Sequence, residues 1–171
     1  MKLLSDWGFT LEGWRNGNKG EYWVVAQAFL IVAFILLPIY RPNSLQIDSA
    51  ELLYIRWGGG VILGLAALVL LAKGLLDLGQ QLTPLPYPKA DGELVQSGIY
   101  SIVRHPLYSG VIFAALSWAI FQVSLSHLIS AAVLLIFFNA KASREEAWLV
   151  QKYPNYSEYR LAVKKLVPWL Y

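Results

Sequence analysis

A chain of 171 residues has room for one domain, and with 57% hydrophobic residues and a mean hydropathy of +0.48 it is too apolar for a soluble protein of that size. The absence of cysteine excludes disulfides, thiolate nucleophiles, prenylation and cysteine metal sites, and leaves the redox compartment open. A net charge of +3 and a pI near 9.1 call for no nucleic-acid partner, because the basic residues sort by side of a membrane as described below.

Residues 1–21 contain acidic and aromatic side chains but no short apolar core or small-residue cleavage site, so the segment does not read as a removable signal peptide. Trp7, Phe9, Trp14, Tyr22 and Trp23 read as interfacial anchors. Residues 22–40 are charge-free and eleven of them are Val, Leu, Ile or Phe, each worth about −0.5 kcal/mol on insertion, which predicts a first spanning helix that acts as its own anchor. A second span is predicted over residues 52–76, with Arg56 and Lys73 near its ends where long side chains reach the headgroups. Its Gly60-x-x-x-Gly64 spacing is a weak signal for close helix packing.

Residues 107–139 carry no charge, and as one helix they would be about 50 Å long against a hydrocarbon core of about 30 Å. Gln122, Ser124, Ser126 and His127 interrupt the stretch, so a hairpin of spans 107–121 and 125–140 is predicted, with His127 as a polar residue at its tip. Four crossings result. Twelve of the fourteen Lys and Arg residues then fall on one face and only Arg41 and Arg56 on the other, which places both termini and the central loop in the cytoplasm.

Residues 77–106 form a connection too long and too rich in Pro and Gly for a simple turn. Pro84, Pro86 and Pro88 stiffen it, and it ends on Arg104-His105-Pro106 at the mouth of the hairpin, so Tyr100, Arg104, His105 and Tyr108 meet at one membrane edge. By residue type alone they form either a site or a basic anchor with an aromatic belt. Beyond the hairpin the helix is predicted to run on through Lys141, Arg144, Glu145 and Glu146 and to stop before Pro154. Lys141 and Glu145 share a face, as an ion pair on a solvated helix or as part of a cation-binding surface. Asn155 with Glu158 resembles a capping box. Tyr156, Tyr159, Val163, Leu166 and Val167 then mark one face of a short amphipathic helix opposite Arg160, Lys164 and Lys165, predicted to lie on the membrane surface and cover the loop. Two distant histidines without cysteine make no zinc site, and no glycine-rich phosphate fingerprint is present.

The run Leu94-Val-Gln-Ser-Gly98-Ile-Tyr100-Ser-Ile-Val-Arg104-His105-Pro106-Leu-Tyr108-Ser-Gly110, followed by Glu145-Glu146 and then Tyr156, Tyr159 and Pro168, resembles the isoprenylcysteine carboxyl methyltransferase and phospholipid methyltransferase superfamily over the C-terminal half. The resemblance implies an all-α polytopic membrane protein: a single domain over residues 1–171 whose cofactor-binding part is residues 77–108 and 141–171. It implies that Leu94, Val95, Tyr100, His105, Pro106 and Tyr108 line a pocket for S-adenosyl-L-methionine and that Glu145 closes it. Arg104, Glu146 and Lys141 are the candidates for catalysis and acceptor positioning. Lys141 stands where prenylcysteine enzymes tend to have an arginine, and a lysine cannot repeat the two-pronged hydrogen bond to a carboxylate. Methyl transfer from an activated sulfonium asks for alignment and exclusion of water rather than many catalytic groups. Carboxylates suit the cofactor's ammonium or ribose, and tyrosines its adenine. The implied acceptor is a lipid-like or hydrophobic small molecule, bearing a carboxylate or an amine, that arrives from the membrane lipids; no metal or nucleic acid is implied. An NADPH-dependent membrane reductase of the sterol type and a nonenzymatic membrane scaffold are the alternatives. Adjacent carboxylates count against a ligand carrying dinucleotide phosphates.

Overall fold

The computed structural model describes residues 11–42 and 53–171. The expected anchors Trp7 and Phe9 and the start of the second span at residue 52 lie outside the described residues.

Helix α1 (Leu11–Asn16) leads through Gly17 and Gly20 into α2 (Glu21–Leu36), with Glu21 in its first turn, where a carboxylate complements the helix dipole. The first span was expected to reach Tyr40 but its helix ends at Leu36, because Pro38 has no N–H to continue the ladder. A π-turn (Ile55–Gly59) runs directly into α3 (Gly60–Leu78), which tightens into a 3₁₀ turn at Gly79–Gln81. Helices α4 (Pro106–Gln122) and α5 (Leu125–Lys152) form the predicted hairpin, and α6 (Tyr156–Ala162) follows after Pro154. Two helical runs, Ile55–Gln81 and Leu125–Lys152, are long and apolar enough to cross a bilayer, while Glu21–Leu36 and Pro106–Gln122 are apolar but shorter. At 28 residues α5 is about 42 Å long, so it outruns a hydrocarbon core of about 30 Å by about two turns. The outward faces of α2 and α3 expose Phe29, Ile35, Ile62, Leu65 and Leu68, an apolar surface of the kind lipid covers.

Small residues set the tightest helix contact. A Cβ on Gly74 would come within 2.8 Å of Leu107, and one on Gly110 within 2.6 Å of Leu71, so α3 and α4 approach as closely as their backbones allow. Further along, Ser117 Oγ donates to Gly60 O at 2.7 Å and also faces Gly64, which gives both glycines of the weak motif a packing role. Ser124 caps α5, accepting from His127 N, and takes the His127 ring at 2.7 Å, so the tip histidine is buried and spent on the turn. Arg41 donates to Gln122 O and Arg56 to Phe121 O. The two arginines that stand apart in the basic-residue count thus neutralise the carbonyl end of α4.

Gly98 shapes the approach to the hairpin mouth. It sits at φ +62° in the left-handed region, and the next N–H, of Ile99, donates to Asp77 Oδ2 at 2.7 Å. A Cβ on Gly98 would lie 2.2 Å from that oxygen. Gly98→Ala is therefore expected to destabilise the fold by about 1–3 kcal/mol, strain and clash together, read as a fall in Tm in detergent. Gly79→Ala, at φ +51° with open space around it, shares the strain without the clash and should fall less.

Candidate active site

The connection from α3 to α4 folds back against the part of α5 beyond its apolar stretch, and a cleft opens between them. Counting its open mouth, the cleft measures about 660 Å³. Leu94, Val95, Tyr100, Arg104, His105 and Glu145 all border it. A smaller chamber beside it shares Tyr100, Arg104, His105 and Glu145 and adds Pro106, Leu107 and Tyr108. Eight positions from the loop and α4, and one from α5, which the sequence separates by up to 51 residues, therefore border one pair of adjoining spaces. Lys141 and Glu146 border neither.

Glu146 instead anchors the charged groups beneath. Its Oε1 accepts from Arg104 Nε at 2.8 Å and lies 3.2 Å from His105 Nε2, with both acidic and basic side chains under a tenth exposed. Burial pushes the Glu146 carboxyl up, but the hydrogen bonds from His105 and Arg104 and their charges outweigh it and hold it near 2, a carboxylate throughout the working pH range. Arg104 also donates through its NH1 to Arg160 O at 2.9 Å and to Val163 O, where α6 ends. Two of the three guanidinium nitrogens are thus engaged within the protein. Glu145 points the other way. Its Oε2 accepts from Tyr108 OH at 2.6 Å while a quarter of the side chain stays exposed to the chambers. Tyr108 is fixed in a stack between His105, parallel within 3°, and Phe138.

Lys141 departs from the solvated-helix reading. It is 1% exposed and forms no ion pair with Glu145. Its Nζ donates to Gln27 Oε1 on α2 at 2.6 Å and to Pro84 O at 3.0 Å, and it lies over the Tyr108 ring. Helical spacing had placed Lys141 and Glu145 on one face, but the face is covered by α2 and by the proline-rich loop, whose carbonyl needs a donor.

The C-terminal region differs from expectation too. Asn155 makes no side-chain cap, and α6 stops at Ala162 instead of continuing past Val167. Beyond it the chain runs beside the loop: Val103 pairs with Lys164, Arg104 N donates to Lys164 O at 2.8 Å, and His105 N donates to Lys165 O at 3.2 Å. These bonds and the Arg104 cap win over helix propensity. They bury Tyr156, Tyr159 and Leu166 against the site. Tyr153, Tyr156 and Tyr159, which border the cleft, were not assigned to it from the sequence as a set; their three-residue spacing across Pro154 was the available signal. Tyr159 OH donates to Tyr100 O and Tyr153 OH to Gly92 O, each at 2.5 Å, and Lys152 holds the carbonyls of Lys89 and Ala90, so the loop is strapped over the cleft. Burial pushes the hydroxyls of Tyr100, Tyr156 and Tyr159 above the usual phenol range, which keeps all three as donors.

The donor set fits a cationic nucleoside ligand. Glu145 facing both chambers and Glu93 at the cleft, aromatic and leucine walls, and Lys89 and Arg104 drawn to protein carbonyls and Glu146 make a pocket that suits positive charge.

The chain is similar to known proteins in family, sequence and fold. The phospholipid methyltransferase family matches residues 55–156. The methanethiol S-methyltransferase of Pseudomonas deceptionensis is 28% identical over 160 residues, covering 90% of this chain and 60% of that protein. The protein-S-isoprenylcysteine O-methyltransferase of Schizosaccharomyces pombe is 32% identical over 101 residues, 57% of this chain and 43% of that protein. The solved structure of the eukaryotic intramembrane Ras methyltransferase ICMT shares the fold, with a TM-score of 0.61 at 20% identity over 91% of this chain and 54% of that one. The chain thus spans about three fifths of the length of the first relative and about half of the solved chain.

Proposed function

The chain belongs to the phospholipid methyltransferase family, within the superfamily that also holds the isoprenylcysteine carboxyl methyltransferases, and from that premise we propose that it is an integral membrane methyltransferase that transfers the methyl group of S-adenosyl-L-methionine to a lipid-like or hydrophobic small-molecule acceptor. The observation that carries this reading is the meeting of Leu94, Val95, Tyr100, His105, Pro106, Tyr108 and Glu145 around one pair of chambers.

S-adenosyl-L-methionine supplies an electrophilic methyl on a sulfonium, and the protein's work is to bind, orient and exclude water. Glu145, the open carboxylate, takes the ligand's positive charge and is itself oriented by Tyr108. Tyr100 and Tyr156 offer walls for the adenine, and Leu94 and Val95 border the same cleft. Arg104 and Glu146 hold the loop, α5 and α6 in register. An acceptor with an apolar body would approach through the smaller chamber, whose rim includes Leu78 and Leu107. The names of the two relatives differ in the accepting atom, sulfur in one and oxygen in the other. A carboxylate acceptor is the less supported, because Lys141 and Arg104 are both committed to protein partners.

Calorimetry on the detergent-purified chain distinguishes this reading from a reductase. S-adenosylhomocysteine is expected to bind and NADPH not to, since Glu145 borders both chambers and the buried cations are spent; NADPH binding alone would sink the assignment. The four crossings, at residues 22–40, 52–76, 107–121 and 125–140, with both termini and the pocket on the cytoplasmic side, are tested by labelling introduced cysteines, which the cysteine-free chain makes clean. Cysteines at positions 89 and 158 should label from the cytoplasm and one at 126 from the opposite side. Labelling of position 89 from outside would overturn the orientation.

A further inference from the structure

His105 is the ring in the pocket whose two nitrogens meet different surroundings. Nε2 lies 3.2 Å from Glu146 Oε1, and the same oxygen takes Arg104 Nε at 2.8 Å. A carboxylate paired with a guanidinium offers only lone pairs, so a neutral His105 carries its proton on Nε2. Nδ1 then holds a lone pair. It does not cap α4, where residue 105 makes no side-chain cap bond, and at 3.8 Å from Glu145 Oε2 it lies outside hydrogen-bond range. The ring borders both chambers, and stacking on Tyr108 and Tyr108's own stacking on Phe138 fix its plane. An anion, an imidazole it orients, and a lone pair without a hydrogen-bond partner on a residue that borders the substrate space together form an arrangement able to remove a proton.

The surrounding charges say what kind of acceptor would need it. A carboxylate acceptor is already ionised, needs no base, and seeks a cation. Yet Arg104 is engaged by Glu146 and two carbonyls, Lys141 by Gln27 and Pro84, and Glu145 faces the chambers with a negative charge. We infer that His105 is the general base of the reaction, that Glu146 is its positioning residue, and that the acceptor is a protic nucleophile of the thiol class. This inference rests on the methyl transfer proposed above. Thiols are far more acidic than the corresponding alcohols, cysteine's having a pKa of about 8.5, so they match an imidazole base better, and sulfur suits a chamber walled by aromatic rings. The acceptor's S–H bond breaks as its proton passes to Nδ1, and the sulfur's electron pair forms the new bond to the methyl. The pair of the old carbon–sulfur bond stays with the departing sulfide. A methyl thioether, S-adenosylhomocysteine and a protonated His105 result, and the ring returns its proton to solvent.

Three measurements on the full purified chain test this. The chain has two histidines, so ¹⁵N NMR of histidine-labelled protein, with His127→Gln to assign the second ring, reports the tautomer directly. His105 should show a protonated Nε2 and a bare Nδ1, and Glu146→Gln should mix the tautomers. In turnover, butanethiol, thiophenol and thioacetate form a series of rising acidity. His105→Gln keeps an amide donor for Glu146 but has no base, so it should lose about 10²–10⁴-fold in kcat with butanethiol, and progressively less with thiophenol and thioacetate, which are already ionised. Because His105 is also a wall of the cofactor pocket, S-adenosylhomocysteine affinity is measured for this variant and kcat is compared at saturating S-adenosyl-L-methionine. If the wild-type chain binds no S-adenosylhomocysteine, the methyltransferase reading itself falls. If it binds but turns over no thiol, or if His105→Gln loses equally across the series, or if the proton sits on Nδ1, the base assignment is overturned and the methyltransferase reading stands.

Discussion

Arg104→Ala is expected to cost about 3–5 kcal/mol of stability, the range seen when one partner of a buried ion pair is removed. The size follows from what is left behind. Glu146, 7% exposed, would keep its charge with only His105 in hydrogen-bond range, and the carbonyls of Arg160 and Val163 at the end of α6 would lose their donor. Arg104→Lys should recover only part, since one ammonium cannot reach a carboxylate and two carbonyls in the planar fork that arginine provides. In the double variant Arg104→Ala with Glu146→Gln the loss should be smaller than the sum of the two, because the uncompensated charge is gone. Acid should reveal the same pair. The folded Glu146 titrates near 2 rather than at its ordinary 4.5, so its contribution is complete above about pH 4.5 and is lost as the pH falls through that value towards 2. Wild type should therefore lose Tm in that window more steeply than Glu146→Gln. An Arg104→Ala protein that melts with wild type would remove the hub assigned to this residue.

The hairpin was legible because polar residues at 122, 124, 126 and 127 broke an apolar run too long for one crossing, and the structure turns at Val123 and Ser124. The candidate site was legible as an order of residue types. Its depth was not. Periodicity reports which residues share a helix face and says nothing of what covers the face, so Lys141 read as a surface or acceptor-side cation although α2 and the loop enclose it. One clue was present: Gln27 is the single amide in the charge-free first span, and a polar side chain there calls for a partner. The C-terminal helix failed for the opposite reason. Asn155 and Glu158 have capping-box spacing and the following residues have helical amphipathicity, but Arg104, fifty residues earlier, claims the carbonyls that would have continued the helix. A pairing at that separation is a tertiary decision, and local pattern cannot register it.

Glu145→Gln should weaken S-adenosylhomocysteine binding by about ten- to a hundredfold, or ~1.4–2.8 kcal/mol, while leaving the fold nearly intact. The substitution keeps the shape and an acceptor oxygen for Tyr108 OH but removes the one carboxylate open to both chambers, so the loss isolates the charge. Glu145 is a quarter exposed and is not part of the buried Arg104 pair, which is why affinity, not stability, should move. Two comparisons separate this from a general loosening. His127→Ala removes a ring buried at the hairpin turn, about 27 Å away along α5, and should leave affinity within about twofold. Lys141→Ala strips the donor from Gln27 and Pro84 O beneath the loop and should lower Tm, with affinity falling less than in Glu145→Gln because Lys141 borders neither chamber. Calorimetry showing equal affinity for wild type and Glu145→Gln would mean that the carboxylate turned towards the cleft does not hold the ligand's positive charge, and the pocket would have to be rebuilt around its tyrosines alone.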